Sequence, residues 1–183
     1  LPAAGVPYPE PAARWENLPT DCCIIHYITG TAAARDIETL ADMADQEADR
    51  VETGFKAEFN EKIPLTFLPR TLGHGGFASD GIYVSYLDQN YAGNATAQVI
   101  RHEMVHWLDN EQGGDLRPTM LIEGLAVYLS DGHFKEEALL PRAAALLDLD
   151  WYIPLRTLSN SFYTSQHEIG YLQAGALIAY LVE

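Results

Sequence analysis

Apolar residues change their spacing several times along this chain, and each change predicts an element. Cys22 to Ile28 is a short run of β-forming residues bounded by Pro19-Thr20-Asp21 and Gly30, which predicts a strand. From Ala32 to about Phe59, residues Ile37, Leu40, Ala41, Ala44, Ala48, Val51 and Phe55 recur at three- and four-residue steps with acids between them, so a long amphipathic helix is expected. Ile63 to Leu68, closed by Pro69, predicts a second strand; Gly81 to Leu87, with Ile82, Val84 and Tyr86 on one face, predicts a third. Between these two, Gly73-His74-Gly75-Gly76 reads as a turn or bulge.

The second half reads differently. Asn94 is placed to cap a helix running through Ala97, Ile100, Met104 and Leu108 to a stop at Gly113-Gly114. Another helix is expected after Pro118, ending at Asp131-Gly132. Residues 134 to 147 look helical with Pro141 dividing or kinking them, residues 148 to 165 look like a structured loop, and a last helix covers about 167 to 183. Strands with one long helix followed by helices alone predict an α+β class: a small N-terminal mixed sheet, then a mainly helical C-terminal half. Residues 1–20, with Pro2, Pro7, Pro9 and Pro11, read as an extended segment, and 21–183 as one domain with lobes meeting near 114/115.

Composition narrows the partners. Among 183 residues, 26 acids against 11 Lys and Arg give a formal charge of −15, which repels phosphate backbones and anionic lipid surfaces, so nucleic acid is an unsuitable partner. No apolar run approaches the roughly 18–20 residues a membrane helix needs, and no insertion of this chain is expected. The start at Leu1 and the apolar pattern reaching Glu183 without a capping Gly or Asn suggest a longer natural chain, with an upstream signal or anchor that would place the protein outside the cytoplasm. The two cysteines, Cys22 and Cys23, are adjacent; neighbouring strand residues face opposite ways, so they read as two small apolar residues rather than a cross-link, with a vicinal disulfide as the alternative.

The candidate chemistry lies in His102-Glu103-Met104-Val105-His106. Residues four apart on a helix stack one above the other, so His102 and His106 aim their imidazoles at one point, the bite of a metal chelate. Glu103 projects about 100° round the helix, too divergent to join the chelate but suited to take a proton from water activated by a metal such as Zn2+. A catalytic zinc wants a third protein ligand. The three-histidine pattern fails, because its Gly and His positions hold Asp109 and Gln112. In Leu121-Ile122-Glu123-Gly124-Leu125-Ala126-Val127-Tyr128, by contrast, Glu123 is a lone carboxylate in an apolar stretch, and ligation is one of the few arrangements that compensates for burying it. Gly124 beside it is expected to let this helix pack closely on the first.

The combination His102-Glu103-x-x-His106 with Glu123-Gly124-x-Ala126-x-Tyr128 resembles the gluzincin peptidases, the group of thermolysin and the aminopeptidase N-like enzymes, and most closely their small bacterial peptidase MA-like members. The resemblance implies a zincin-like fold, zinc held by His102, His106 and Glu123, Glu103 as general base, and a peptide or protein substrate. It extends to Tyr171-Leu172-Gln173-Ala174-Gly175-Ala176, similar to a segment whose tyrosine donates a hydrogen bond to the developing oxyanion, which implies that role for Tyr171 with Tyr163 as its competitor. Sixteen residues separate His106 from Glu123, slightly fewer than in thermolysin, and Val127 stands where thermolysin has an Asp. No Gly-x-Met-Glu-Asn motif is present, so aminopeptidase specificity is not implied.

His167-Glu168 repeats the opening of the motif, but Tyr171 occupies the position of the second His, so His167 reads as a capping or surface residue. His26, His74 and His133 read as structural, with some claim for His74 because its glycine-rich turn precedes a strand that in a fold of this class can border the cleft. Asn94-Ala95-Thr96 fits a glycosylation acceptor but sits where a cap is wanted. Two other functions fit the motifs: a catalytically idle zinc-binding scaffold, against which the intact set of ligands and base argues, and a zinc hydrolase of another amide such as cell-wall material.

Overall fold

A computed structural model describes residues 13–69, 75–87, 95–114, 117–133, 135 and 137–183. The candidate cap Asn94, the turn residue His74 and the proline-rich residues 1–12 lie outside these. The class is α+β, with one five-stranded mixed sheet in the order β1-β2-β3-β5-β4 and seven α-helices among the described residues.

The sheet is built from β1 (Trp15–Pro19), β2 (Cys23–Ile28), β3 (Ile63–Leu68), β4 (Gly76–Ala78) and β5 (Ile82–Ser85). The three central strands run parallel, and the outer pairs β1–β2 and β4–β5 are antiparallel. A parallel step from β2 to β3 needs a long return, which α1 (Ala32–Arg35) and α2 (Ile37–Phe55) provide. Alternate strand residues Cys23, Ile25, Ile63, Leu65, Phe67, Ile82 and Val84 point into a core closed by Leu40, Ala44 and Val51 of α2 and by Ile100, Met104 and Leu108 of α3 (Thr96–Glu111). Helices therefore cover one face of the sheet, and they bring α3 alongside β4 and β5.

Several expectations change on contact with the fold. The segment 1–20 contributes β1 at its end: Trp15 pairs with Ile28 and Pro19 with Ile24. An edge strand has only one neighbour and alternates weakly in burial, so the apolar pattern that marks β2 and β3 is missing, and Pro19 is tolerated at its end. Gly76 opens β4 rather than lying in a turn. The long first helix breaks at Asp36, whose carboxylate takes up both the Arg35 guanidinium at 2.5 Å and the Tyr86 hydroxyl at 2.9 Å, and it stops at Phe55 because Lys56 adopts a left-handed conformation with φ 58°.

Cys22 and Cys23 form a vicinal disulfide, correcting the reading of two independent strand residues. Cys22 lies in the bend before β2 begins, so the alternation rule that separates neighbouring side chains does not reach it.

The helical half packs on a pair of crossed helices, α4 (Thr119–Leu129) and α7 (His167–Val182). Gly124 serves that crossing and not the one with α3: a Cβ there would lie 2.6 Å from the Ala174 carbonyl oxygen of α7. Gly175 answers from the other side, where a Cβ would stand 2.5 Å from Val127 Cγ1. Around the crossing, α5 (Leu139–Asp148) supplies Leu139 and Leu146, while α6 (Leu155–Asn160) and the following 3-10 turn Phe162–Thr164 supply Leu158 and Phe162. Pro141 sits in the first turn of α5, where its missing N–H has no intrahelical partner to lose, so it opens that helix rather than kinking it. The 148–165 stretch carries α6 and the 3-10 turn, both too short to leave a period in the sequence. No helix among the described residues is long and apolar enough to cross a membrane.

Because α4 and α7 touch through backbone at Gly124, a methyl group there has no space. Gly124→Ala should cost about 1–3 kcal/mol by overpacking, read as a lowered urea midpoint with an unchanged slope; a variant as stable as the parent would refute the close crossing.

Candidate metal centre

Three elements deliver the motif residues to one point. α3 presents His102 and His106 one turn apart; α4 presents Glu123; and β4 passes over Glu103 on the other side. The α3–α4 connection is pinned at one end by buried Asp109 paired with Arg117, and at the other by α3 side chains that cap the end of α4. Gln98 Nε2 donates to the carbonyls of Ser130 and Asp131, each at 3.2 Å, and Arg101 Nη1 donates to Ser130 at 3.3 Å. Cationic and amide donors at a helix C-terminus satisfy its orphan carbonyls, and here they also fix the height of Glu123 against the two histidines.

The three donor atoms fit a metal ion by their spacing. His102 Nε2 and His106 Nε2 are 3.1 Å apart, and Glu123 Oε2 lies 3.5 Å from the first and 3.2 Å from the second. Three corners of a tetrahedron with bonds of about 2.0–2.1 Å are separated by roughly 3.3–3.4 Å. Buried His102 and Glu123 and half-buried His106 form a group able to hold a metal ion. Glu123's other oxygen, Oε1, accepts the Tyr163 hydroxyl at 2.7 Å, so Tyr163 orients the carboxylate with Oε2 toward the histidines. Sequence reasoning offered Tyr163 only as a rival to Tyr171; the exposed ring hides a hydroxyl that turns inward.

Electrostatics in the site follow from burial and from Glu123. Burial pushes His102 down to about 4, leaving the neutral imidazole a ligand requires. Burial works the same way on His106, but the hydrogen bond and charge of Glu123 outweigh it and raise this imidazole. Glu123 is itself held well below the usual carboxylate range: burial would raise it, and the hydrogen bonds from His102 and His106 prevail. Glu103 goes the other way, driven up to about 7 chiefly by burial and by the negative charge of Glu123, against the pull of His106 and the backbone N–H of Ala78. A carboxyl near neutrality in a cleft is suited to exchanging protons. Gly76 makes room for it, since a Cβ at that position would stand 3.2 Å from Glu103 Cγ.

Tyr171 lines the same cleft, of about 410 Å³, with Gly76, Phe77, Ala78, His133, Tyr163 and His167 among the other walls. Its hydroxyl stays protonated, raised by burial and then by the charge of Glu123; burial and the hydrogen bond to Glu123 do the same for Tyr163. His133 and His167, expected to be structural and superficial, both reach the cleft. Tyr171 stacks on His133 and lies tilted against His167, each at 4.3 Å between ring centroids, and the His133 ring lies 6.3 Å from that of His102. His133 is carried there by the turn after α4, through left-handed Asp131 with φ 59° and Gly132 with φ 130°. No sequence spacing links that turn to α3, so only the fold could reveal it. His26 stays on the sheet, paired with Asn17 at 2.7 Å.

No protein-family model matches this chain, and no curated protein matches it.

The raised Glu103 carries a stability cost. Its folded value near 7 lies above the unfolded 4.5, so the unfolded chain binds fewer protons between these values. The penalty is absent below about pH 4.5, grows as pH rises and is complete above 7. In metal-stripped protein Glu103→Gln should be more stable than the parent by roughly 3 kcal/mol at pH 8 and no more stable at pH 4.5, as thermal melts at the two values would read. His102 is common to both proteins and cancels. A difference independent of pH would contradict the raised carboxyl.

Proposed function

We propose that the protein is a zinc-dependent peptidase of gluzincin type with a zincin-like fold, hydrolysing peptide bonds in the cleft between β4 and α7. The observation that carries this reading is the triangle of His102 Nε2, His106 Nε2 and Glu123 Oε2, with sides of 3.1, 3.2 and 3.5 Å, beside a buried carboxyl poised near neutrality. A zinc ion on these three ligands supplies Lewis-acid polarisation of a carbonyl and acidifies water.

The remaining steps belong to the chain's own groups. Glu103, steadied by the Ala78 N–H, takes the proton of the attacking water and hands it to the departing amine. Tyr171, neutral and facing the cleft, donates its O–H to the oxyanion as charge develops there. Tyr163 keeps Glu123 Oε1 engaged, so the carboxylate presents a single oxygen to the histidines. β4 is the last strand of the sheet and borders the cleft with Gly76, Phe77 and Ala78, which offers an extended peptide a strand to pair with.

Zinc content and cleavage of a mixed peptide library test this directly. The parent should hold zinc and cut. Glu103→Gln should keep zinc and lose at least a hundredfold in kcat, the scale of a general base, and Glu123→Ala should lose the zinc. Zinc bound without any cleavage by the parent would favour an idle binding module; failure to bind zinc would overturn the site. The tyrosines separate by kind of defect. Tyr171→Phe should lower kcat with zinc affinity intact, whereas Tyr163→Phe should weaken zinc binding about 10- to 100-fold, the range of an outer-shell partner. Undiminished turnover in Tyr171→Phe would remove it from the mechanism.

A further inference from the structure

The cleft contains a second set of donors that the proposed reaction does not use. His133, from the turn after α4, and His167 and Glu168, from the first turn of α7, each offer one ligand atom, and all three atoms lie within 4.8 Å of one another. His133 is buried, its Nδ1 3.1 Å from Glu168 Oε2, and its ring centroid is 5.0 Å from that of His167. Both histidines line the same cleft as His102 and His106.

We infer that His133, His167 and Glu168 form a second binding site for a divalent transition-metal ion in the wall of the same cleft, with Tyr171 between the two sites. Two imidazoles and one carboxylate repeat the donor chemistry of the first site, which suits zinc, cobalt or nickel and not the hard calcium or magnesium ions. The His133–Glu168 separation already matches a tetrahedral edge of about 3.3 Å. His167 supplies the third donor, and as the first residue of α7, only half-buried, it has the freedom to turn its ring toward a bound ion.

The second site is the weaker of the two for stated reasons. Its third donor sits on a half-buried residue, whereas in the first set both His102 and Glu123 are buried. Its carboxylate is shared: Arg142 Nη2 holds Glu168 Oε1, and the Glu168 side chain is 40% exposed. Both leave an ion more to reorganise and more water to compete with. Tyr171 stacks on His133 and packs tilted against His167, so an ion bound there braces the ring whose hydroxyl faces the first site. The inference does not depend on peptidase activity, because it concerns only what these donors bind.

Titration of metal-stripped protein with Co2+, followed by visible absorption and by equilibrium metal content, distinguishes the sites. The parent should take up two equivalents, the second at least tenfold more weakly. His167→Ala and Glu168→Gln should each take up one equivalent with the tight phase unchanged, and Glu123→Ala should lose the tight phase and keep the weak one. A single equivalent in the parent, or two in His167→Ala and Glu168→Gln alike, would overturn the second site and leave the first untouched. Loss of the tight phase alone from the parent would instead refute the first site. Circular dichroism on each variant separates lost ligation from lost folding, and Glu168→Gln, isosteric and half exposed, keeps the test decisive if His167→Ala unfolds.

Discussion

Burial of one carboxylate, Glu123, against two imidazoles sets the terms for the rest of this molecule. A charge held at 7% exposure on an otherwise apolar helix is unfavourable unless it is answered, and the answer is His102 and His106 on one oxygen and the Tyr163 hydroxyl on the other. These partners come from two other parts of the chain, α3 and the 3-10 turn after α6, so the elements must meet at fixed heights. The contacts that fix them are not at the site. Gln98 and Arg101 hold the end of α4, Asp109 and Arg117 hold its approach, and the glycines at 124 and 175 let α7 press α4 from behind.

α4 is thus shared between two neighbours with different demands. Toward α3 it presents a charge that must be matched by the histidines; toward α7 it presents bare backbone at Gly124 and the short Val127 side chain against Gly175. Contact of the second kind is stiff, because at Gly124 backbone meets backbone and no side chain on the glycine can turn aside. Stiffness at the back keeps the front in register. It also delivers the first two turns of α7, with His167 and Tyr171, and through the turn at Asp131-Gly132 it delivers His133, so the far wall of the cleft is set by the same crossing.

The sequence made the α+β class and the positions of β2, β3, β5, α3, α4 and α7 legible because their apolar residues recur at the period of the element they form. The gathering of His102, His106 and Glu123 was legible too: a four-residue spacing fixes two of them, and the cost of burying a lone carboxylate points to the third. What escaped has physical reasons. β1 is an edge strand with one neighbour, α6 is a single turn and a half, and β4 is three residues long, so none carries a period. The Cys22–Cys23 bond depends on a bend before a strand, and the contribution of His133 and His167 to the cleft depends on a turn conformation and a helix crossing. Gly124 was recognised as a place of close approach, but a glycine does not say which neighbour approaches. Here it is α7.

α3 is buried on almost every side, and its polar residues show where its chemistry lies. Gln98 is spent on the end of α4, Asp109 on Arg117, and His102 on Glu123; each satisfies a structural need of the packing. Glu103, 5% exposed, has a backbone N–H and no Arg or Lys at ion-pair distance among the described residues. A core position in such a helix would be served better by an apolar residue or by a carboxylate with a cation beside it, as buried Glu47 has in Arg101 and Arg50. The fold therefore supplies a matched cation to one buried glutamate, between α2 and α3, and withholds it from another, on the side of α3 that faces β4. A carboxyl left this way is destabilising as an anion and ready as a proton acceptor, and the local conflict falls in the cleft that also holds the histidine pair.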